Sequence, residues 1–244
     1  MNSPENFHRV CVLGIDGSGK STAANEAALS LSEGYPYADI RVADSNGIFW
    51  YQGGELVGTR FSHLGEMSPT SESSKMGTIL RLAAFTLARQ KTEQLFSHAP
   101  NSLTISVRDP YRIDPSVHTS FFGPEWLRRL PLEQRLYYFD HLTSAPHPSI
   151  VAFLEAKTDK ALANLGNRAV VYSTETPLRI AAAARALPKA IDAYGEEYGV
   201  PSTTIFALKP TTSSRLAETL EEFVPNRTYK VHSVAIAQDS YAKA

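Results

Sequence analysis

The sequence predicts a single α/β domain, with a central parallel sheet of about five strands and helices on both faces. Three observations predict it. Short apolar runs recur along the chain, alanine- and leucine-rich segments separate them, and a glycine-rich turn joins the first run to the first such segment. Continuously apolar strands are what a sheet covered on both faces needs. Connections long enough to hold a helix let successive strands run parallel.

Residues 9–13 (RVCVL) read as the first buried strand, and 23–32 (AANEAALSLS) as a helix stopped by Gly34 and Pro36. Residues 39–43 (DIRVA) are the second strand. The segment 44–75 changes character. It carries Gly47, Gly53, Gly54, Gly58 and Gly65 and ends in a serine-rich stretch. Phe49, Trp50 and Tyr51 on one side of Gly53-Gly54, with Leu56 and Val57 on the other, signal a hairpin. The aromatic run has three readings: lining an acceptor pocket, anchoring the hairpin, or forming a homodimer contact. A longer helix is expected over 75–97 and a strand over 103–107 (LTISV), followed by a loop rich in proline and aromatics. A helix over 125–142 is interrupted at Pro131. Then come a strand over 149–154, helices over 158–165 and 177–198, and a fifth strand over 203–208. A closing helix over 213–223 has Ser213 as its N-cap. Residues 229–236 read as an edge strand or as unstructured tail. The domain is thus expected over 1–224, with 44–75 inserted and 225–244 as a tail.

Composition bounds the function. Hydrophobic residues make up 43% of the 244 positions and charged residues 20%, enough apolar material for a core. Lys and Arg total 24 against 25 Asp and Glu, so no global field gathers nucleic acid or anionic lipid. The expected partner is a small molecule rather than nucleic acid or membrane. No apolar run approaches the ~20 residues that span a bilayer. Cys11 has no second cysteine to pair with, which points to a reducing, cytoplasmic setting. The seven histidines make no pair with metal-ligand spacing.

The sharpest signal is the run from Gly14 to Thr22, GIDGSGKST, which satisfies G-x-x-x-x-G-K-[ST] between a strand and a helix. Gly14, Gly17 and Gly19 let the backbone turn so that successive N–H groups converge on phosphate oxygens. The helix that follows adds its positive end. Gly14, Asp16, Gly17, Ser18, Gly19, Lys20, Ser21 and Thr22 therefore form the expected ATP-binding set. Lys20 faces the outer phosphates, and the Ser21 hydroxyl is a ligand for Mg²⁺. Asp16, inside the loop, stands where an acceptor sits and can hold its hydroxyl, or else stabilises the turn.

The same residues resemble the phosphate loop of thymidylate kinases, which pass a phosphoryl group from ATP to dTMP on a P-loop nucleotide-kinase fold. The resemblance runs over roughly 8–224, although outside the loop each match is short. Residues 82–89 (LAAFTLAR) are similar to the helix that holds the base, which implies Phe85 stacking on it and Arg89, four residues on, reaching its edge. Arg108 closes a strand where the family carries an Asp-Arg pair, implying a contact to the acceptor phosphate. Residues 157–175 are similar to the lid, with Arg168 closing over the phosphates. Asp109, Tyr111 and Arg112 leave the same strand end, where open α/β sheets bind ligands. Tyr111 and Arg112 are candidates for the acceptor. Asp109 is a candidate Mg²⁺ ligand, and for a nucleoside acceptor the carboxylate near its 5′-hydroxyl.

The departures fall on the acceptor side. The family's Arg-Glu-Pro segment is replaced by ADSNG at 43–47, and Val107 stands where the Asp of the Asp-Arg pair belongs. Arginine holds a phosphate bidentately where lysine does not, so the acceptor is the open question. The resemblance implies dTMP. A nucleoside or specialised acceptor on the same fold, or a nucleotide-binding regulator without transfer, is the alternative.

Overall fold

The structure, a computed structural model, describes residues 7–44, 47–52, 55–60, 102–122, 124–167, 176–207 and 211–225. In chain order they form β1 (Phe7–Leu13), α1 (Lys20–Gly34), β2 (Asp39–Ala43), β3 (Gly47–Gln52), β4 (Glu55–Arg60) and β5 (Ser102–Val107). Next come α2 (Ile113–Phe122), α3 (Glu125–Arg128), α4 (Leu132–His141) and β6 (Ile150–Glu155). Then α5 (Thr158–Gly166), α6 (Thr176–Tyr198), β7 (Ser202–Phe206) and α7 (Thr212–Leu220) follow, closed by a 3₁₀ turn at Glu221–Phe223.

The described strands form one sheet in the order β4-β3-β2-β5-β1-β6-β7. β2, β5, β1, β6 and β7 are parallel neighbours, and these are the five apolar runs of the sequence. β3 and β4 add an antiparallel hairpin at the β2 edge, with Gln52 opposite Glu55.

Alternate residues of each central strand feed two cores, because strand side chains point to opposite faces. On one face Val10 and Val12 of β1 with Ala152 and Leu154 of β6 pack against Ala24, Ala27 and Leu31 of α1 and Leu216 and Leu220 of α7. On the other, Cys11 and Leu13 with Val151 and Phe153 meet Ile113 and Val117 of α2, Leu165 of α5 and Ile191 of α6. Each fully buried Val, Leu, Ile or Phe contributes about 1.5–3 kcal/mol, so these layers fix the strand ends that carry the site.

Two expectations are overturned. The N-cap of α7 is Thr211, without a side-chain cap hydrogen bond, and Ser213 lies inside the helix. Residues 113–122 are helix α2, where composition predicts loop. Pro115 falls in its first turn, where the missing N–H has no intrahelical partner to lose. Pro131 separates α3 from α4, as its position implies. The expected 75–97 helix, the 229–236 segment and residues 168–175 of the lid lie outside the described residues. Among the described residues, no helix is long and apolar enough to cross a membrane.

Candidate functional site

β1 delivers the chain to the phosphate loop at the carboxyl edge of the sheet. Gly17 and Gly19 hold φ of 83° and 87°, conformations that side-chain-bearing residues rarely adopt. At Gly17 space is also decisive, since a Cβ would lie 2.1 Å from the carbonyl oxygen of Ala161 in α5. Asn164, one turn further along α5, donates to the Gly17 carbonyl at 2.9 Å and ties loop to helix. Gly19 is the N-cap of α1 and offers no side-chain cap, and the first turn of α1 has no acidic residue. Its N–H groups are therefore left for an external anion, at the positive end of the helix.

Charge converges on the mouth of this loop. Lys20 is buried (5% exposed), and its Nζ donates to the Ile15 carbonyl at 3.1 Å and to Asp16 Oδ1 at 3.4 Å. From the end of β5, Arg108 donates to the same carboxylate. Its backbone has φ of 85°, which costs on the order of 1–3 kcal/mol and is held by the Arg108 N–H bond to the Val12 carbonyl at 3.0 Å. Asp114 and His118, one turn apart on α2, and Arg179 on α6 complete the polar lining. They surround a cleft of about 180 Å³ whose apolar wall includes Val117, Phe121 and Ile180.

The cleft perturbs its titratable groups. Burial is the largest influence on Asp16 and would raise its pKa, but Arg108 and Lys20 together outweigh it and hold the carboxyl well below the usual carboxylate range. Burial, aided by Arg108, lowers the Lys20 ammonium to about 8. Asp114 is pushed up by burial, against the pull of Arg108, His118 and Lys20. His118 is pushed down by burial, against Asp114. Such opposed shifts among neighbours in a cleft are characteristic of reactive sites.

On the far side of the loop a second groove, of about 500 Å³, is lined by Gly19, Thr22, Glu26, Lys160, Asn164 and Thr212. Ser21 is exposed at the start of α1. Among the described residues, no three His, Cys, Asp or Glu side chains group to hold a metal. Mg²⁺ takes most of its ligands from water and phosphate, so an exposed hydroxyl beside the phosphate site fits it without a protein cage.

Three residues expected at the acceptor turn elsewhere. Asp109 is fully buried. Its carboxylate pairs with Arg9 at 3.3 Å and accepts from the N–H groups of Tyr111 and Ile113, capping the entry to α2. Tyr111 is 1% exposed and lies beneath the Arg9 guanidinium, 4.8 Å from its ring centre. Arg112 reaches Asp140 at 2.5 Å and the Ala145 carbonyl at 2.6 Å. The reason is geometric: the capped turn aims these side chains into the core and leaves Asp114 and His118 facing the loop. Phe85, Arg89 and Arg168 lie outside the described residues. Sequence reasoning missed Asp114, His118 and Arg179. Their signal is the i, i+4 spacing of Asp114 and His118, legible only once 113–122 is read as helix.

Two similar solved structures are of deoxyadenosine kinase from M. mycoides. One, with the products dCMP and a flexible dCDP bound, matches at 16% identity with a TM-score of 0.54, over 88% of this chain and 99% of that one. The other, with dATP bound, matches at 15% identity and a TM-score of 0.54, over 87% and 98%. No protein-family model and no curated protein matches the sequence. The likeness shows the fold: this is a P-loop kinase fold with a five-strand parallel core.

Proposed function

We propose that the protein transfers the γ-phosphoryl group of ATP to a small nucleoside-type acceptor. The observation that carries this is the convergence of Lys20, Asp16 and Arg108 on the mouth of the phosphate loop, beside a cleft large enough for part of an acceptor. The far groove is the natural place for the donor's nucleoside, because the loop's N–H groups then meet its phosphates. Lys20 and Arg108 bring positive charge to where charge spreads in the transition state, and Asp16 orients Arg108 and the acceptor. Ser21 would hold Mg²⁺, which when bound neutralises charge on the β- and γ-phosphates.

A second reading has a specific support. Arg108 is 35% exposed on the cleft side and suits an acceptor phosphate, in line with the resemblance to thymidylate kinases and hence dTMP. Both readings share the loop and differ in the acceptor.

The test is ADP release from Mg²⁺-ATP with thymidine, deoxyadenosine, deoxycytidine, deoxyguanosine and their 5′-monophosphates. Turnover on at least one is expected, with Lys20→Ala slower by on the order of a hundredfold. ATP binding without turnover on any acceptor would turn the assignment toward a nucleotide-binding regulator.

A further inference from the structure

Asp109, Asp16 and Asp114 crowd around the start of α2 and the loop, and they differ in what already occupies them. Asp109 is spent on Arg9 and two backbone N–H groups. Asp16 is held by Arg108 and Lys20. Asp114 lines the cleft, and its Oδ2 is shielded from water with no hydrogen-bond partner. A buried carboxylate without a donor costs free energy, and Asp114 is half-buried and lines the cleft, where a ligand can meet the part of the carboxylate that is open.

From the unpartnered carboxylate facing the cleft beside Arg108, we infer that Asp114 receives the proton of an acceptor hydroxyl, and hence that the acceptor is a nucleoside. This rests on the phosphoryl-transfer reading and narrows its substrate class. As the hydroxyl oxygen bonds to the γ-phosphorus of ATP, its proton passes to the Asp114 carboxylate. The bond from that phosphorus to the β–γ bridging oxygen breaks, and ADP leaves with the electron pair. A phosphate acceptor is already an anion and has no such proton to give. It would also bring its charge up against two carboxylates, with Arg108 already engaged by Asp16 and drawn toward Asp114. The elevated affinity of Asp114 for a proton, caused by burial, suits the task.

The test compares wild type, Asp114→Asn and Asp114→Glu on the same nucleosides and monophosphates at saturating Mg²⁺-ATP, with thermal unfolding as a check. Wild type is expected to act on a nucleoside. Asp114→Asn should lower kcat about a hundredfold with KM for ATP and unfolding temperature unchanged, while Asp114→Glu keeps part of the rate. The groups facing Asp114 are Arg108, Lys20, His118 and Asp109. The acid limb of the kcat profile should therefore vanish in Asp114→Asn and persist in His118→Gln. Turnover of monophosphates unaffected by Asp114→Asn overturns the inference and leaves phosphoryl transfer standing. So does recovery of Asp114→Asn by raised Mg²⁺, which would make Asp114 a metal holder. No turnover by wild type on any acceptor removes the broader reading, and this inference with it.

Discussion

Lys20 illustrates how one side chain can be both structural and reactive. Buried beneath the loop, its ammonium donates hydrogen bonds to the Ile15 carbonyl and to Asp16. Burial and Arg108 bring its pKa down to about 8, so the free protein loses that charge as pH rises through 8. Phosphate binds the ammonium and not the amine, so binding ATP should take up a proton in this range. ATP affinity is then expected to fall roughly tenfold between pH 7.5 and 9. Calorimetry in two buffers of different ionisation enthalpy reads both the affinity and the proton. Lys20→Arg, always charged, should flatten the profile, and a flat profile in wild type would contradict the assigned charge state. Arg108 is the complementary case, where a left-handed backbone aims a guanidinium at Asp16 from a neighbouring strand.

At the scale of the element, α2 decides which carboxylate faces the cleft. Asp109 caps its entry and locks to Arg9 across to β1, with side chains 0% and 1% exposed. Removing one partner of such a pair strands the other charge in the core, at a cost of about 3 kcal/mol or more. Asp109→Ala should lose that much stability in urea denaturation, and adding Arg9→Met should recover part of it. Loss of turnover with stability intact would instead return Asp109 to the reaction. The α5 contact is similarly close: Gly17 has no room for a Cβ against the Ala161 carbonyl, and Asn164 bonds the Gly17 carbonyl, so the loop is tied directly to α5.

For the whole molecule, what the sequence discloses follows from range. The loop from Gly14 to Thr22 was legible because its chemistry is written in consecutive residues, and the five central strands because burial on both faces demands unbroken apolar runs. The start of α2 was hidden by Pro110 and Pro115, which read as loop although the second sits where a helix tolerates it. The exchange of roles between Asp109 and Asp114 was not legible at all. It depends on Arg9, a hundred positions away in the chain but adjacent in the sheet, claiming the nearer carboxylate. Which carboxylate faces the cleft is therefore set by long-range pairing rather than by motif. The central claim is that the phosphoryl group reaches an organic acceptor rather than water. ³¹P NMR of the protein with Mg²⁺-ATP and the nucleoside and monophosphate panel tests it most directly. A new phosphoester or diphosphate resonance growing in step with ADP is the predicted result; ADP accompanied by inorganic phosphate alone would contradict it.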